Sequence, residues 1–180
     1  MGARARDVSS PAGEFDELTV VLSLMDLAGF TRAVGDLSAR GIAELLDRFY
    51  RLASGRVSQH GGRVVKFSGD NCLALFEPAD APRAVQCVVD VRDDVSALAD
   101  ELGLELELGG NVHLATVAVG MFGDPATASF DVAGLGVIHT YRLGAGAGIR
   151  LSEPVYRRLP SSDRSVWRRY QPPTTYRFAP

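Results

Sequence analysis

Residues 63–76 read RVVKFSGDNCLALF, two short apolar runs on either side of Ser68-Gly69-Asp70. A Gly-Asp turn between such runs is a hairpin signal, because glycine takes the unusual φ that a tight turn needs. Upstream, LTVVLSLMD (18–26) is long enough for one strand and apolar at nearly every position, the pattern of a central strand covered on both faces. It ends on an acid, Asp26. Between the two, Ile42, Leu45, Leu46, Phe49, Leu52, Ala53 and Val57 follow the three-and-four spacing of an amphipathic helix, stopped by Gly61-Gly62. Downstream, a second helix starts near Asp80, with Pro82 in its first turn and an apolar stripe from Ala84 to Leu102, and ends before Gly103. LELEL (104–108) alternates strictly and VHLATVAVGMF continues as extended chain. FDV (130–132) is a strand entering a helix after Gly134. A strand at Ile149–Leu151, a helical turn at Glu153–Arg158 and an edge strand at TTYRF complete the chain. This order predicts an α+β sandwich, with helices on one side of a mostly antiparallel sheet.

The 180 residues suit one domain at ~150 residues each. That domain is expected over 17–180, after a polar, aperiodic leader at 1–16. Nineteen Lys and Arg against 22 Asp and Glu give a net charge of -3 with the basic residues scattered, which argues against a nucleic-acid face. Cys72 and Cys87 sit in apolar runs and read as buried, reduced thiols, pointing to a cytoplasmic protein. No apolar run reaches the ~18 residues of a membrane span, and the N-terminus lacks a secretory or myristoylation pattern, so no membrane insertion or anchoring is expected. Gly144-Ala-Gly-Ala-Gly148 matches no phosphate-binding pattern and reads as a helix end and turn.

Asp26 at a strand end and Asp70 at a hairpin tip can converge on one point. Two acids there repel unless a cation lies between them, and hard divalent ions take carboxylates together with substrate phosphates. Gly29, Phe30 and Thr31, where the chain turns from Asp26 into a helix, offer amides that could cradle those phosphates. Acids and glycines are also ordinary turn residues.

Four segments together carry more. Asp26-Leu-Ala-Gly29-Phe30-Thr31, Lys66-Phe-Ser-Gly69-Asp70, His113 followed by Gly120 and Gly123, and Asp131-Val-Ala-Gly134 followed by Arg142 resemble, in order and spacing, the motifs of the class III nucleotidyl cyclase catalytic domain. The resemblance covers about residues 18–158 and implies that family's ferredoxin-like sandwich. It implies that Asp26, Asp70 and the backbone carbonyl of Leu27 bind two Mg²⁺ or Mn²⁺ ions. These would activate the ribose 3′-hydroxyl for in-line attack on the α-phosphate and steady the departing pyrophosphate. Lys66 and Asp131 fall at the base-reading positions. A lysine and a carboxylate complement adenine's N1 acceptor and amino donor, which favours ATP over GTP. Arg142 resembles the arginine that neutralises triphosphate charge in the transition state. His113 reads as a satisfied strand histidine rather than a catalytic base, and Arg168 and Arg169 are candidates for a C-terminal phosphate contact.

The second half departs from the pattern. An asparagine is expected four residues before Arg142, on the same helix face, and Ile138 stands there. Loss of one such donor typically costs ~10²–10³ in rate. Leu135-Gly136 replace a polar pair, Ala115 stands where glycine is common, and the segment after Arg142 is short. In the family the metal acids and the base-reading set come from different chains, so a head-to-tail homodimer with sites at its interface is implied. With no attached sensor in the sequence, a regulator would be a separate protein. The expectation is an adenylate cyclase, slow because of Ile138. The alternative is a degenerate cyclase-like domain that binds nucleotide or a protein partner without turnover, and cyclization of another nucleotide is a third.

Overall fold

The computed structural model describes residues 15–170 and 174–179. Residues 1–14 of the expected leader therefore lie outside the described residues, while Phe15 and Asp16 already belong to the first strand. The elements run β1 (Phe15–Ala28), α1 (Phe30–Ala33), α2 (Ala39–Gln59), β2 (Arg63–Ser68), β3 (Asn71–Phe76), α3 (Ala81–Leu102), β4 (Glu107–Phe122) and β5 (Ser129–Ala133). They continue with α4 (Leu135–Arg142), β6 (Gly148–Ser152), α5 (Glu153–Tyr156), β7 (Trp167–Tyr170) and β8 (Thr175–Phe178). The sheet order is β2-β3-β1-β4-β6-β8-β7, with β5 paired on β4. The β4–β6 pair is parallel and the other pairs are antiparallel.

β1 is central, as its unbroken apolar run requires, and its alternation assigns its residues to two cores. Val21, Met25 and Leu27 face α2 and α3 in the larger core with Phe49, Phe76, Val88 and Leu108. Val20, Leu22 and Leu24 face the other side with Leu73, Val117 and Val132. Phe49 and Phe76 are fully buried, and burial of a side chain of that size stabilises by about 1.5–3 kcal/mol. α2 starts where Ser38 accepts a hydrogen bond from Gly41 N at 3.1 Å, an N-cap bond the apolar spacing did not reveal. α3 ends at Gly103 in the left-handed region (φ 64°).

The α+β sandwich, mostly antiparallel with helices packed on it, is the observed architecture, and three of its details differ from expectation. α4 packs on the opposite sheet face from α2 and α3, since Val137 joins the smaller core and Gly136 rests on Ala115 and Val117. An eight-residue helix has too few turns for its apolar period to show which face it covers. TTYRF is not an edge strand: β8 lies between β6 and β7, and the edge is β7, where Trp167 packs into the main core. Leu104–Leu106 precede the strand, and Glu107–Phe122 form one continuous strand through Gly109-Gly110.

Both cysteines are buried and unpaired. Burial pushes the thiols of Cys72 and Cys87 up to about 12, so both are neutral and inert at physiological pH. Among the described residues no helix is long and apolar enough to cross a membrane.

Candidate active site

The first strand and the β2–β3 hairpin bring the two acids to one end of the sheet. Asp26 lies opposite Asn71 in the β1–β3 register, and Leu27 N donates to the Asp70 carbonyl at 3.1 Å, tying the hairpin turn to the end of β1. Gly69 provides the turn with φ 58°. Burial, followed by repulsion from Asp70, raises the Asp26 carboxyl above its usual range. A carboxylate destabilised in this way is one whose charge an added cation would compensate. Oxygen donors of this kind fit a hard divalent ion, and the fit extends to Asn71, whose buried Oδ1 has no hydrogen-bond partner among the described residues.

Tyr50, on α2, was not singled out by the sequence. Its ring stacks on Phe67, with centroids 4.0 Å apart and planes at 19°, and its hydroxyl donates to the Gly69 carbonyl at 2.6 Å. The helix thus holds the hairpin tip that carries Asp70. Tyr50 falls outside the main α2 stripe Leu45-Phe49-Ala53-Val57, and its being an off-stripe aromatic is the one sequence signal that could have found it.

Gly29 sits between β1 and α1 with φ 87°, and a Cβ there would stand 2.8 Å from the Glu105 carbonyl. Both constraints require glycine. Phe30 packs against the main core and Thr31 is exposed.

Lys66 and Asp131, 65 residues apart, meet across the sheet, Lys66 Nζ to Asp131 Oδ2 at 2.8 Å. The other Asp131 oxygen accepts from Val132 N at 2.8 Å, so the carboxylate is held in orientation. The pair lies on strands β2 and β5, next to the stack of Arg63 over the Phe130 ring. Arg142 ends α4, exposed, with no ion pair or hydrogen bond among the described residues. Ile138 is 45% exposed on the same helix, with Leu135 at 71% and Tyr141 at 41%.

His113 is not satisfied as expected: its Nδ1 is buried without a partner. Burial and then the neighbouring His139, whose ring centroid lies 6.2 Å away, lower its pKa. It lies half-buried in β4. Arg168 lies on edge strand β7, bonded to the Ser165 carbonyl, and Arg169 lies beside it, exposed, opposite Tyr176 of β8.

The departures of the second half interlock. A Cβ at Gly136 would lie 2.4 Å from the Ala115 Cβ, so glycine on the helix answers alanine on the strand. The short segment after α4 wraps Arg150, which is 6% exposed. Its guanidinium donates to the carbonyls of Ala145, Gly146, Ala147 and Gly148 at 2.6–3.1 Å. Asn111 Nδ2 adds a bond to the Gly144 carbonyl at 2.9 Å. The turn read from Gly144–Gly148 is a carbonyl cage around a buried cation.

Known proteins share this fold. No protein-family model matches the chain. An uncharacterized protein of Mycobacterium tuberculosis is 30% identical over 148 residues, 78% of this chain and 26% of that protein. An adenylate cyclase of the same organism is 29% identical over 92 residues, 51% of this chain and 20% of that protein. Among solved structures, the guanylyl cyclase Cya2 superimposes with a TM-score of 0.79 at 26% identity, over 91% of this chain and 93% of that one. The adenylyl cyclase CyaB from P. aeruginosa gives 0.83 at 21% identity, over 93% and 96%. The fold is that of the class III nucleotidyl cyclase catalytic domain. The chain spans about a quarter of the length of the first curated relatives it matches.

Proposed function

We propose that the chain is an adenylate cyclase domain that converts ATP to 3′,5′-cyclic AMP and pyrophosphate. The observation that carries this reading is the Lys66–Asp131 pair, a donor and an acceptor fixed side by side as adenine's amino group and N1 require. Guanine in the same pose would set its N1–H against the Lys66 donor and its O6 acceptor against the Asp131 carboxylate.

Asp26 and Asp70, with the Leu27 carbonyl, would hold two Mg²⁺ or Mn²⁺ ions. When bound, these would supply Lewis-acid polarisation of the 3′-hydroxyl and charge neutralisation on the phosphates. Tyr50 and the Leu27–Asp70 backbone bond fix the spacing of the acids. Gly29, Phe30 and Thr31 present the backbone of the β1–α1 turn to the phosphates. Arg142, with no ion pair or hydrogen bond among the described residues, would place its guanidinium on developing phosphate charge.

The active form would be a head-to-tail homodimer, each site taking the acids from one copy and Lys66, Asp131 and Arg142 from the other. The exposed stripe Leu135-Ile138-Tyr141 beside Arg142 supports this, since an apolar stripe on a helix gains from being covered. The setting would be cytoplasmic. The second reading, a nucleotide-binding or protein-interaction domain without turnover, is favoured by Ile138 alone, an exposed apolar side chain where a transition-state donor is expected.

The test is purified protein incubated with MnATP, MgATP and MnGTP beside Asp26→Ala, with cyclic product measured by chromatography. Cyclic AMP above the control supports the reading. No product from any nucleotide rejects the enzyme, and preference for GTP rejects the role given to Lys66 and Asp131.

A further inference from the structure

We propose that Asn71 and Asn111 extend the cation site beyond its carboxylates, giving their carboxamide oxygens to the divalent ion at Asp26 or to its bound water. The inference rests on the metal-binding reading above and concerns residues that the cyclase resemblance does not include. A cavity of about 210 Å³ opens beside Asp26, walled by Asn71, Asn111, Tyr141, Gly144 and Arg150 among others. Asn71 faces Asp26 in register, and strand alternation puts both on the face that carries Leu24 and Leu73. Asn111 is 5% exposed. Its Nδ2 is committed to the Gly144 carbonyl, which fixes its amide and leaves Oδ1 as the free acceptor.

Neither Oδ1 accepts a hydrogen bond among the described residues. A buried acceptor left unmade is costly, so two of them along one cavity that also holds Asp26 indicate a bound group that supplies positive charge or donors. Tyr141 and Arg150, donors on the cavity wall, leave these acceptors unmet among the described residues: the Tyr141 hydroxyl bonds neither asparagine, and the Arg150 guanidinium turns four of its hydrogen bonds onto the carbonyls of Ala145–Gly148. Its charge, which opposes a cation, is spread over those carbonyl dipoles. The Asp26 carboxylate and the two amide oxygens together are oxygen ligands of the kind that hard divalent ions take, directly or through water. The volume has room for several waters at ~30 Å³ each.

The test is Mn²⁺ titration of the purified chain, alone and with 3′-deoxy-ATP. Free Mn²⁺ is followed by electron paramagnetic resonance, and the metal-induced rise in melting temperature gives a second readout. Asn71→Ala is expected to weaken Mn²⁺ binding about tenfold, the lower end of the usual effect of an outer-sphere partner. Asn111→Ala should weaken it less, and Asn71→Asp, which keeps the shape and adds charge, should hold or tighten it. Metal-free melting curves report whether each variant folds, and Asn71→Asp carries the test if Asn71→Ala does not. If both alanine variants bind Mn²⁺ like the unaltered chain while Asp26→Asn does not, the inference falls and the carboxylate site stands. If the unaltered chain binds no Mn²⁺ in either condition, both fall together.

Discussion

The contact of Gly136 with Ala115 makes a sharp prediction about stability. Adding one methyl at Gly136 places a Cβ 2.4 Å from the Ala115 Cβ, 3.2 Å from the Thr116 carbonyl and 3.3 Å from Val117 Cγ1. The first distance is far inside van der Waals contact, so α4 must lift from the strand or β4 must bend. Overpacking of this size costs about 1–3 kcal/mol, and the usual gain of alanine over glycine in a helix offsets ~0.5–1 kcal/mol of it. Gly136→Ala should therefore destabilise by a net of up to ~2.5 kcal/mol, which for a domain of this size lowers the melting temperature by up to roughly 10 °C. The strand partner supplies the discriminating variant. Ala115→Gly removes the opposing methyl, so in the double variant the 2.4 Å contact disappears and the milder approaches to Thr116 and Val117 remain, with glycine's cost in the strand. A cycle of urea denaturation on the four proteins should give a coupling energy of about 1–3 kcal/mol favouring the double variant. If Gly136→Ala is neutral or stabilising, or if the two changes add, the helix does not rest on this strand as described, and the matched pair is accidental.

Four further outcomes follow from the site. Ile138→Asn restores a donor on the Arg142 face and should raise turnover with MnATP, up to ~10²-fold by the usual worth of such a donor; an unchanged rate would mean that the position does not reach the phosphates. Lys66→Glu places an acid beside Asp131 and should shift the ratio of cyclic GMP to cyclic AMP upward in a mixed-nucleotide assay, whereas loss of both products without a shift would count against base reading by this pair. Tyr50→Phe removes a 2.6 Å bond to the Gly69 carbonyl and should cost about 0.5–1.5 kcal/mol in urea denaturation, together with a higher Mn²⁺ concentration for half-maximal activity. Asp26 has its pKa raised above 3.8 by burial and by Asp70, so the folded chain holds that proton more tightly than the unfolded chain. Its ionised form then destabilises the metal-free fold at neutral pH, a cost that fades as pH falls through the folded pKa and is gone below about 3.9. Metal-free Asp26→Asn should consequently melt higher than the unaltered chain at pH 7, and the difference should shrink steadily on acidification.

What was legible in the sequence was what local pattern controls. The Asp26 strand end, the Gly69-Asp70 turn and the two long helices follow from periodicity and turn chemistry within short windows, and the structure has them within a few residues. Lys66 and Asp131 are different: nothing local joins residues 65 positions apart, and only the ordered set of motifs put them together. Non-local choices stayed hidden. The parallel return of β6 alongside β4 decides that β8 is interior and β7 is the edge, and no property of TTYRF or WRRY encodes it. Asn71 and Asn111 were missed because a single asparagine in an apolar run reads as a tolerated polar residue until its partner strands are known.

The same limit changes what the irregular second half means. Read along the chain, Ala115, Gly136 and the short Gly144–Gly148 segment are separate losses of a pattern, as relaxed constraint would produce. In three dimensions they are complementary: an added methyl on the strand meets a missing one on the helix, and the short loop closes over Arg150 with four carbonyls while Asn111 holds its first residue. Erosion has no reason to leave donors matched to acceptors or methyls matched to hydrogens. These substitutions behave as one repacked unit that fixes the end of α4, the element that presents Arg142. Ile138 stands outside that unit, since no contact among the described residues accounts for its exposed side chain. The doubt about turnover therefore belongs to that one position and to whatever covers it, which is where exchange for asparagine acts and where a second copy of the chain would have to pack.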